Sequence, residues 1–146
     1  MSDTSEIIAI QNLVARFANS FDLKDWRGLL GCLAGEIDTD YSDLRGTQPE
    51  TMSREKFVEL RMSALQALRT HHLAGNLEIE LDGTRASARV SMIIFRRNER
   101  DETFNTHCMY SLGFVRTSTE WTISSIVQKV FINDGQASVH KGILKP

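Results

Sequence analysis

The sequence predicts an α+β domain in which a curved antiparallel sheet and three helices from the N-terminal half enclose a pocket. Two observations predict it. In the first part of the chain apolar residues recur at steps of three and four, as in Ile7, Ile10, Val14, Phe17 and Phe21. After His71 the period falls to two, and long alternating runs are separated by turn signals such as the "DG" at Asp82 and Gly83. Helices followed by a long antiparallel meander are the α+β order. A curved sheet of long strands with helices across its concave face encloses a cone-shaped cavity.

The first helix is expected near residues 6–21, with Leu13 beside its apolar stripe and Asp3, Thr4 or Ser5 as caps. Asp25 is placed as the N-cap of a short second helix carrying Trp26, Leu29, Leu30 and Leu33, which Gly28, Gly31 and Gly35 weaken and help to end. "IDTDYSDL" alternates as a short strand around Tyr41, and "RGTQPE" reads as loop. Ser53 opens a third helix near 54–69 with Phe57, Leu60, Ala64, Leu65 and Leu68 on one stripe. "HHLAGNLEIEL" and "RASARVSMIIFRR" form a hairpin, "NERDE" is a charged turn, and "TFNTHCMYSLGFVR" and "EWTISSIVQKVFI" are two further strands. Asn133, Asp134 and Gly135 close the last strand. The whole of 1–146 reads as one domain, with flexible tails near 1–5 and 136–146.

Composition excludes several classes. At 146 residues with 41% hydrophobic and 25% charged residues, the chain has ordinary globular composition. A net charge of −2 with mixed signs gives no basic field for nucleic acid. The polar, acidic opening "MSDTSEIIAI" is unlike a secretory signal, and no apolar run approaches membrane-spanning length. A cytoplasmic protein is the expectation. Cys32 and Cys108 are isolated, and four scattered histidines with two cysteines assemble no metal set. No Gly-rich phosphate loop occurs either.

Asp22, Tyr41 and His72 are the right types for proton transfer, although they come from three different elements. A histidine takes a proton near neutral pH, and a carboxylate fixes its tautomer and stabilises the imidazolium. A tyrosine hydroxyl donates to a carbonyl gaining enolate charge. Read alone, each residue has a plainer role: a helix-end acid, a strand histidine satisfied by backbone, a core tyrosine with its hydroxyl at the rim. His71 should point away from His72, since strand neighbours alternate. His107 shares a face with Met109 and Ser111 and is placed toward the cavity or in packing; His140 is expected to be solvated in the tail.

"NSFDLKDW", "DTDY", "LRTHH" and "EWTISSI" occur in an order that resembles scytalone dehydratase and, more broadly, the SnoaL-like members of the nuclear-transport-factor-two-like superfamily. The resemblance runs from about Ile7 to Gly135. It implies a cone-shaped α+β barrel with an apolar pocket, an Asp22–His72 pair, and Tyr41 polarising a substrate carbonyl. The departures are specific. Phe21 stands where the dehydratase has a tyrosine, Phe95 or Arg96 where it has a second histidine, and Ser111 near its pocket asparagine.

The resemblance implies a cofactor-independent lyase that abstracts a proton alpha to the carbonyl of a small, mostly apolar cyclic or aromatic ketone, with loss of water. An isomerase or cyclase of the same family shares the first step. A non-catalytic binding or assembly subunit, similar to the small subunit of ring-hydroxylating dioxygenases, is the competing class. His72, Asp22 and Tyr41 are the expected catalytic residues. Phe21, Trp26, Met92, Arg96, Met109, Ser111 and Ile126 are the expected substrate lining, Arg96 as a clamp on substrate or enolate; most of the arginines around "RRNER" are solvated. The apolar run Met92 to Phe95 suits a strand covered on both faces, one of them by a second subunit, so a homodimer or homotrimer is expected.

Overall fold

In the computed structural model, which describes residues 2–143, four helices pack on a six-stranded sheet. Helix α1 (Asp3–Asp22) starts at Ser2, whose hydroxyl accepts from the Ser5 N–H, and buries Ile10, Leu13, Val14, Phe17, Ala18 and Phe21. Each of these side chains other than Ala18 contributes about 1.5–3 kcal/mol on leaving water. Residues Asp3 to Ser5, expected as tail, are the helix's first turn. One turn on, Glu6 is buried: it accepts from the Trp121 indole and pairs with Arg116 at 3.1 Å, which ties α1 to the sheet.

Asp25 caps α2 (Trp26–Gly31) by accepting from the Gly28 N–H at 2.9 Å. The helix ends before Leu33, which opens β1 (Leu33–Asp40). Tyr41 therefore lies one residue past the strand, at the N-cap of a four-residue helix α3 (Ser42–Arg45). Gly46, at φ 76°, closes that helix in the left-handed region that glycine tolerates. The expected loop ends at Glu50, where a short edge strand β2 (Glu50–Ser53) begins, and Ser53 caps α4 (Arg54–Leu65) as the sequence predicts.

Strands β3 (Arg69–Asp82), β4 (Arg85–Arg97), β5 (Phe104–Thr117) and β6 (Glu120–Gly135) form the antiparallel meander. The sheet order is β2-β1-β6-β5-β4-β3, with β1 parallel to β6. The meander is antiparallel as expected, and the one parallel pair makes the sheet mixed. β1 pairs with a strand far away in sequence, and local alternation carries no signal of that direction. Register shifts between Gly75 and Glu78 and between His107 and Cys108 bend the long strands so that the sheet closes round the helices.

The last described segment, expected as tail, folds back as a 3₁₀ turn at Ala137–Val139, and Val139 and His140 are buried. His140 is therefore not solvated, because the turn seats it against the interior beside Arg45 and Arg96. Residues 1 and 144–146 of the expected tails lie outside the described residues. Among the described residues no helix is long and apolar enough to cross a membrane.

Candidate active site

The end of α1 and the start of β3 bring Asp22 and His72 together. The stripe that buries Phe17 and Phe21 ends at Asp22, half-buried at the helix terminus. In β3, Thr70 and His72 lie two residues apart and so share the concave face, while His71 points outward and stacks on Phe95. The Asp22 carboxylate accepts from the Thr70 hydroxyl at 2.9 Å and from the His72 backbone N–H at 2.7 Å. It faces His72 Nδ1 at 2.7 Å.

Burial alone would raise the Asp22 pKa; the hydrogen bonds from the His72 ring and backbone, the His72 charge and the Thr70 hydroxyl outweigh it and hold the carboxyl below its ordinary value. His72 is lowered from the ordinary histidine value, first by burial, against the opposing hydrogen bond and charge of Asp22, with Arg96 and Lys24 adding to the lowering. The ring is thus neutral at neutral pH. With Nδ1–H held by a carboxylate, the lone pair sits on Nε2. Phe21 stacks on the imidazole with centroids 4.8 Å apart and an interplanar angle of 18°. Phe21 thus fixes the plane of the imidazole by stacking on it.

His72 lines a cavity shared with Phe21, Tyr41, Arg45, Arg61, Arg96, Tyr110, Gln128 and His140, and its free space is only about 20 Å³, room for a single water. Tyr41 is buried by its position next to β1, in phase with inward Ile37 and Thr39. Burial pushes its hydroxyl up to about 12, against the lowering by Arg45 and Tyr110. Tyr110 is likewise well above its ordinary value, first by burial. Both are neutral donors. Gln128 donates to the Tyr110 oxygen at 3.2 Å, which leaves the Tyr110 proton directed to the Tyr41 hydroxyl.

Three guanidiniums surround these rings. Arg45 follows Tyr41 by one helical turn and lies over its ring, 4.4 Å from the centroid. Arg61 follows Phe57 by one turn of α4 and lies 5.0 Å from the centroids of both Phe57 and Tyr41. Arg96, on the inward face of β4, donates to the Thr106 hydroxyl at 2.8 Å and to the Phe104 carbonyl at 3.4 Å. Burial brings Arg96 down to about 10, so it stays charged at neutral pH. His140 is lowered to about 3 by burial and then by the charges of Arg96 and Arg45, and is neutral. On the far side of Tyr41, Arg45 and Arg61 lies an outer groove of about 580 Å³, the size of a small-molecule site.

Residues 2–127 match the SnoaL-like domain. The chain belongs to this family. A curated relative, Scytalone dehydratase-like protein claB of Passalora fulva, is 32% identical over 75 residues, covering 51% of this chain and 42% of that protein. The match thus spans less than half of the relative's length. Among solved structures, the Kfla4162 protein of Kribbella flavida superposes with a TM-score of 0.90 at 18% identity, over 94% of this chain and 98% of that one. Hexachlorocyclohexane dehydrochlorinase LinA-type3 of Novosphingobium barchaimii gives a TM-score of 0.78 at 14% identity, over 98% and 97%. At such identities these likenesses establish the fold, a cone of curved sheet and helices.

The SnoaL-like cone brings Phe21, Arg96, Tyr41, His72 and Asp22 to one place. Other expected lining residues lie elsewhere. Met109 and Ser111 are on the convex face, because the inward register of β5 is Phe104, Thr106, Cys108, Tyr110, Leu112 and Phe114. His107 shares that outer face and lies 3.7 Å from Asp134. Trp26 packs between α2 and α4 and donates to the Gln66 side chain at 2.8 Å. Met92 and Ile126 are buried on the inward face but pack in the core beside the cavity. Tyr110, Gln128, Arg45, Arg61 and His140 are lining residues that the sequence reading misses. Alternation marks Tyr110, in phase with Phe104 and Phe114, and helical spacing marks Arg61, midway between Phe57 and Leu65.

Proposed function

We propose that this SnoaL-like chain is a lyase that removes a proton alpha to the carbonyl of a small cyclic or aromatic ketone and expels a beta-hydroxyl as water. The observation that carries it is the 2.7 Å contact of Asp22 with His72 Nδ1 beside two neutral tyrosine hydroxyls in a buried cavity. His72 Nε2 takes the alpha proton, and the C–H electron pair becomes the enolate. Tyr41, or Tyr110, donates to the developing oxyanion. As the carbonyl re-forms, the pair moves into a new C=C bond and the beta C–O bond breaks. The proton on His72 joins the leaving hydroxide, giving enone and water. Asp22 offsets the imidazolium charge between these steps.

The names of similar proteins support elimination as the shared chemistry: one is dehydratase-like, others are dehydrochlorinases. Isomerisation or cyclisation would use the same base and a different fate of the enolate. Self-association also belongs to this reading. Leu73, Ile93, His107 and Ile132 are successive cross-strand partners on the convex face, and Leu73, Phe95, Phe131 and Ile132 are 56%, 45%, 54% and 60% exposed. A second subunit would cover this apolar row.

The test is exchange and turnover: a panel of cyclic hydroxy-ketones and ketones is incubated in D₂O with protein. Alpha deuteration or enone formation that disappears in His72→Ala is the expected result. Equal exchange in wild type and His72→Ala refutes the proposal.

A further inference from the structure

The cavity beside His72 holds positive charge that no carboxylate among the described residues neutralises. Three guanidiniums, Arg45, Arg61 and Arg96, reach it from α3, α4 and β4; among the described residues the neighbouring carboxylate is Asp22, whose oxygens already serve Thr70 and His72. Arg61 and Arg96 are only 5% and 4% exposed. Among the described residues none of the three forms an ion pair with a carboxylate. The Nε of each is buried without a hydrogen-bond partner. Arg45 and Arg61 rest on aromatic faces, which attract a cation but accept none of its N–H groups in a defined fork.

A buried charge with donors unmet is a costly arrangement that a complementary anion relieves. We infer that Arg45, Arg61 and Arg96 are the binding site for a carboxylate carried by the substrate. The ligand class is then an apolar keto acid anion, not a neutral ketone. The carboxylate matches the planar guanidinium fork, and the apolar body lies against Phe21, Leu44, Leu65 and Ile94. The keto part of the assignment rests on the elimination chemistry proposed above; the anion site does not.

The same residues account for access. Tyr41, Arg45 and Arg61 line both the inner cavity and the outer groove, which also carries Lys56 and, as its acid, Glu50. The guanidiniums occupy the room a substrate needs, since only about 20 Å³ remains inside. A carboxylate arriving from the groove draws Arg45 and Arg61 onto itself, opening the space in front of His72. Arg96, inside, pairs with it from the opposite wall.

Binding is measured by calorimetry on the intact chain with benzoate, its neutral counterpart benzamide, and phenyl phosphate. Benzoate is expected to bind about tenfold or more tightly than benzamide. Arg61→Gln and Arg96→Gln should each lose most of that difference. Arg45→Gln, at a half-buried position, provides a variant less exposed to folding failure. Wild-type discrimination between the acid and its amide needs no variant at all. Benzoate binding retained in His72→Gln separates the anion site from the chemistry. Arginine-dependent benzoate binding without any alpha exchange leaves this site standing and removes the lyase reading. Exchange on neutral ketones with no preference for benzoate over benzamide does the reverse. Equal binding of benzoate and benzamide, unchanged benzoate binding in all three arginine variants, or much tighter binding of phenyl phosphate than of benzoate overturns the carboxylate assignment.

Discussion

Replacing Asp22 by asparagine changes one atom type at a position where every contact is defined. The carboxylate accepts from the His72 N–H and the Thr70 hydroxyl and holds His72 Nδ1–H. The asparagine side chain has one acceptor oxygen and one NH₂ group. The backbone N–H of His72 cannot change its role, so the amide oxygen takes the position opposite it. The NH₂ group then faces Thr70, whose hydroxyl can turn to accept, and Nδ1, which must also accept. The ring proton is thereby moved to Nε2, and the base is lost in the neutral form. A positioned general base contributes about 10²–10⁴ in rate, so turnover should fall within that span. A charge-assisted hydrogen bond to a buried partner is worth about 1.5–3 kcal/mol. Relief of carboxylate desolvation offsets part of this, so the thermal midpoint should drop by a few to about 10 °C with the fold intact. Long-range ¹H–¹⁵N correlation of the His72 ring reads the tautomer directly, beside turnover on the ketone identified by exchange. His72→Ala combined with Asp22→Asn should cost little more than His72→Ala alone, because the pair acts as one unit. An Asp22→Asn variant whose His72 keeps its proton on Nδ1 and whose turnover matches wild type would refute this account.

Tyr41→Phe and Tyr110→Phe separate the two candidate oxyanion donors: the true donor should lose about 10²–10³ in turnover, and equal activity in both variants would remove tyrosine from the chemistry. The pH dependence has a definite sign. Unfolded His140 titrates near 6.5 whereas the folded side chain sits at about 3. Above 6.5 neither state binds the proton; as pH falls below it only the unfolded state does, and stability is lost down to about 3. His72, lowered as well, acts in the same direction. Stability should therefore decline between about pH 7 and pH 4.5, by an amount of order a few kcal/mol, read as a falling thermal midpoint, and His140→Gln should flatten the decline; a midpoint independent of pH contradicts the burial of neutral His140. Turnover should show an acid limb below the ordinary histidine value. Ile132→Asp, on the convex face, should shift sedimentation toward monomer while leaving the midpoint of the monomer unchanged, and a wild type that is monomeric throughout removes the interface.

Much of the fold is legible because it is local. Ser53 and Asp25 cap the helices the sequence predicts, and the change of period after His71 marks the hairpins. Asp22 and His72 sit where an amphipathic stripe ends and an alternating strand begins, so their faces are set by short-range geometry even though their contact spans 50 residues. What the sequence hides is set at longer range. The parallel pairing of β1 with β6 depends on a connection across the whole chain. In β5 alternation does mark the inward face, since Phe104, Cys108, Tyr110, Leu112 and Phe114 share it; the expected lining residues Met109 and Ser111 fall on the opposite, more polar register. His140 is polar and near the C-terminus, yet a three-residue turn is enough to bury it.

The arginines are hidden for a different reason: charged residues on an apolar stripe read as the solvated edge of a helix. Their placement has a consequence for stability that can be measured without any ligand. Arg61 occupies a core position of α4, flanked by Phe57 and Leu65, with a buried Nε that nothing satisfies. Exchanging a buried, incompletely paired charge for an apolar side chain of similar length is often neutral or stabilising by about 1–4 kcal/mol. The cation–π contacts with Tyr41 and Phe57 reduce that gain without cancelling the desolvation cost. Arg61→Met should therefore raise the thermal midpoint of the ligand-free protein while weakening benzoate binding, and wild type but not the variant should gain stability as benzoate is added. A residue kept for packing would behave in the opposite way: its replacement would lower the midpoint and leave benzoate binding alone. Opposite movements of stability and anion affinity in a single substitution are the signature of a residue retained for its ligand.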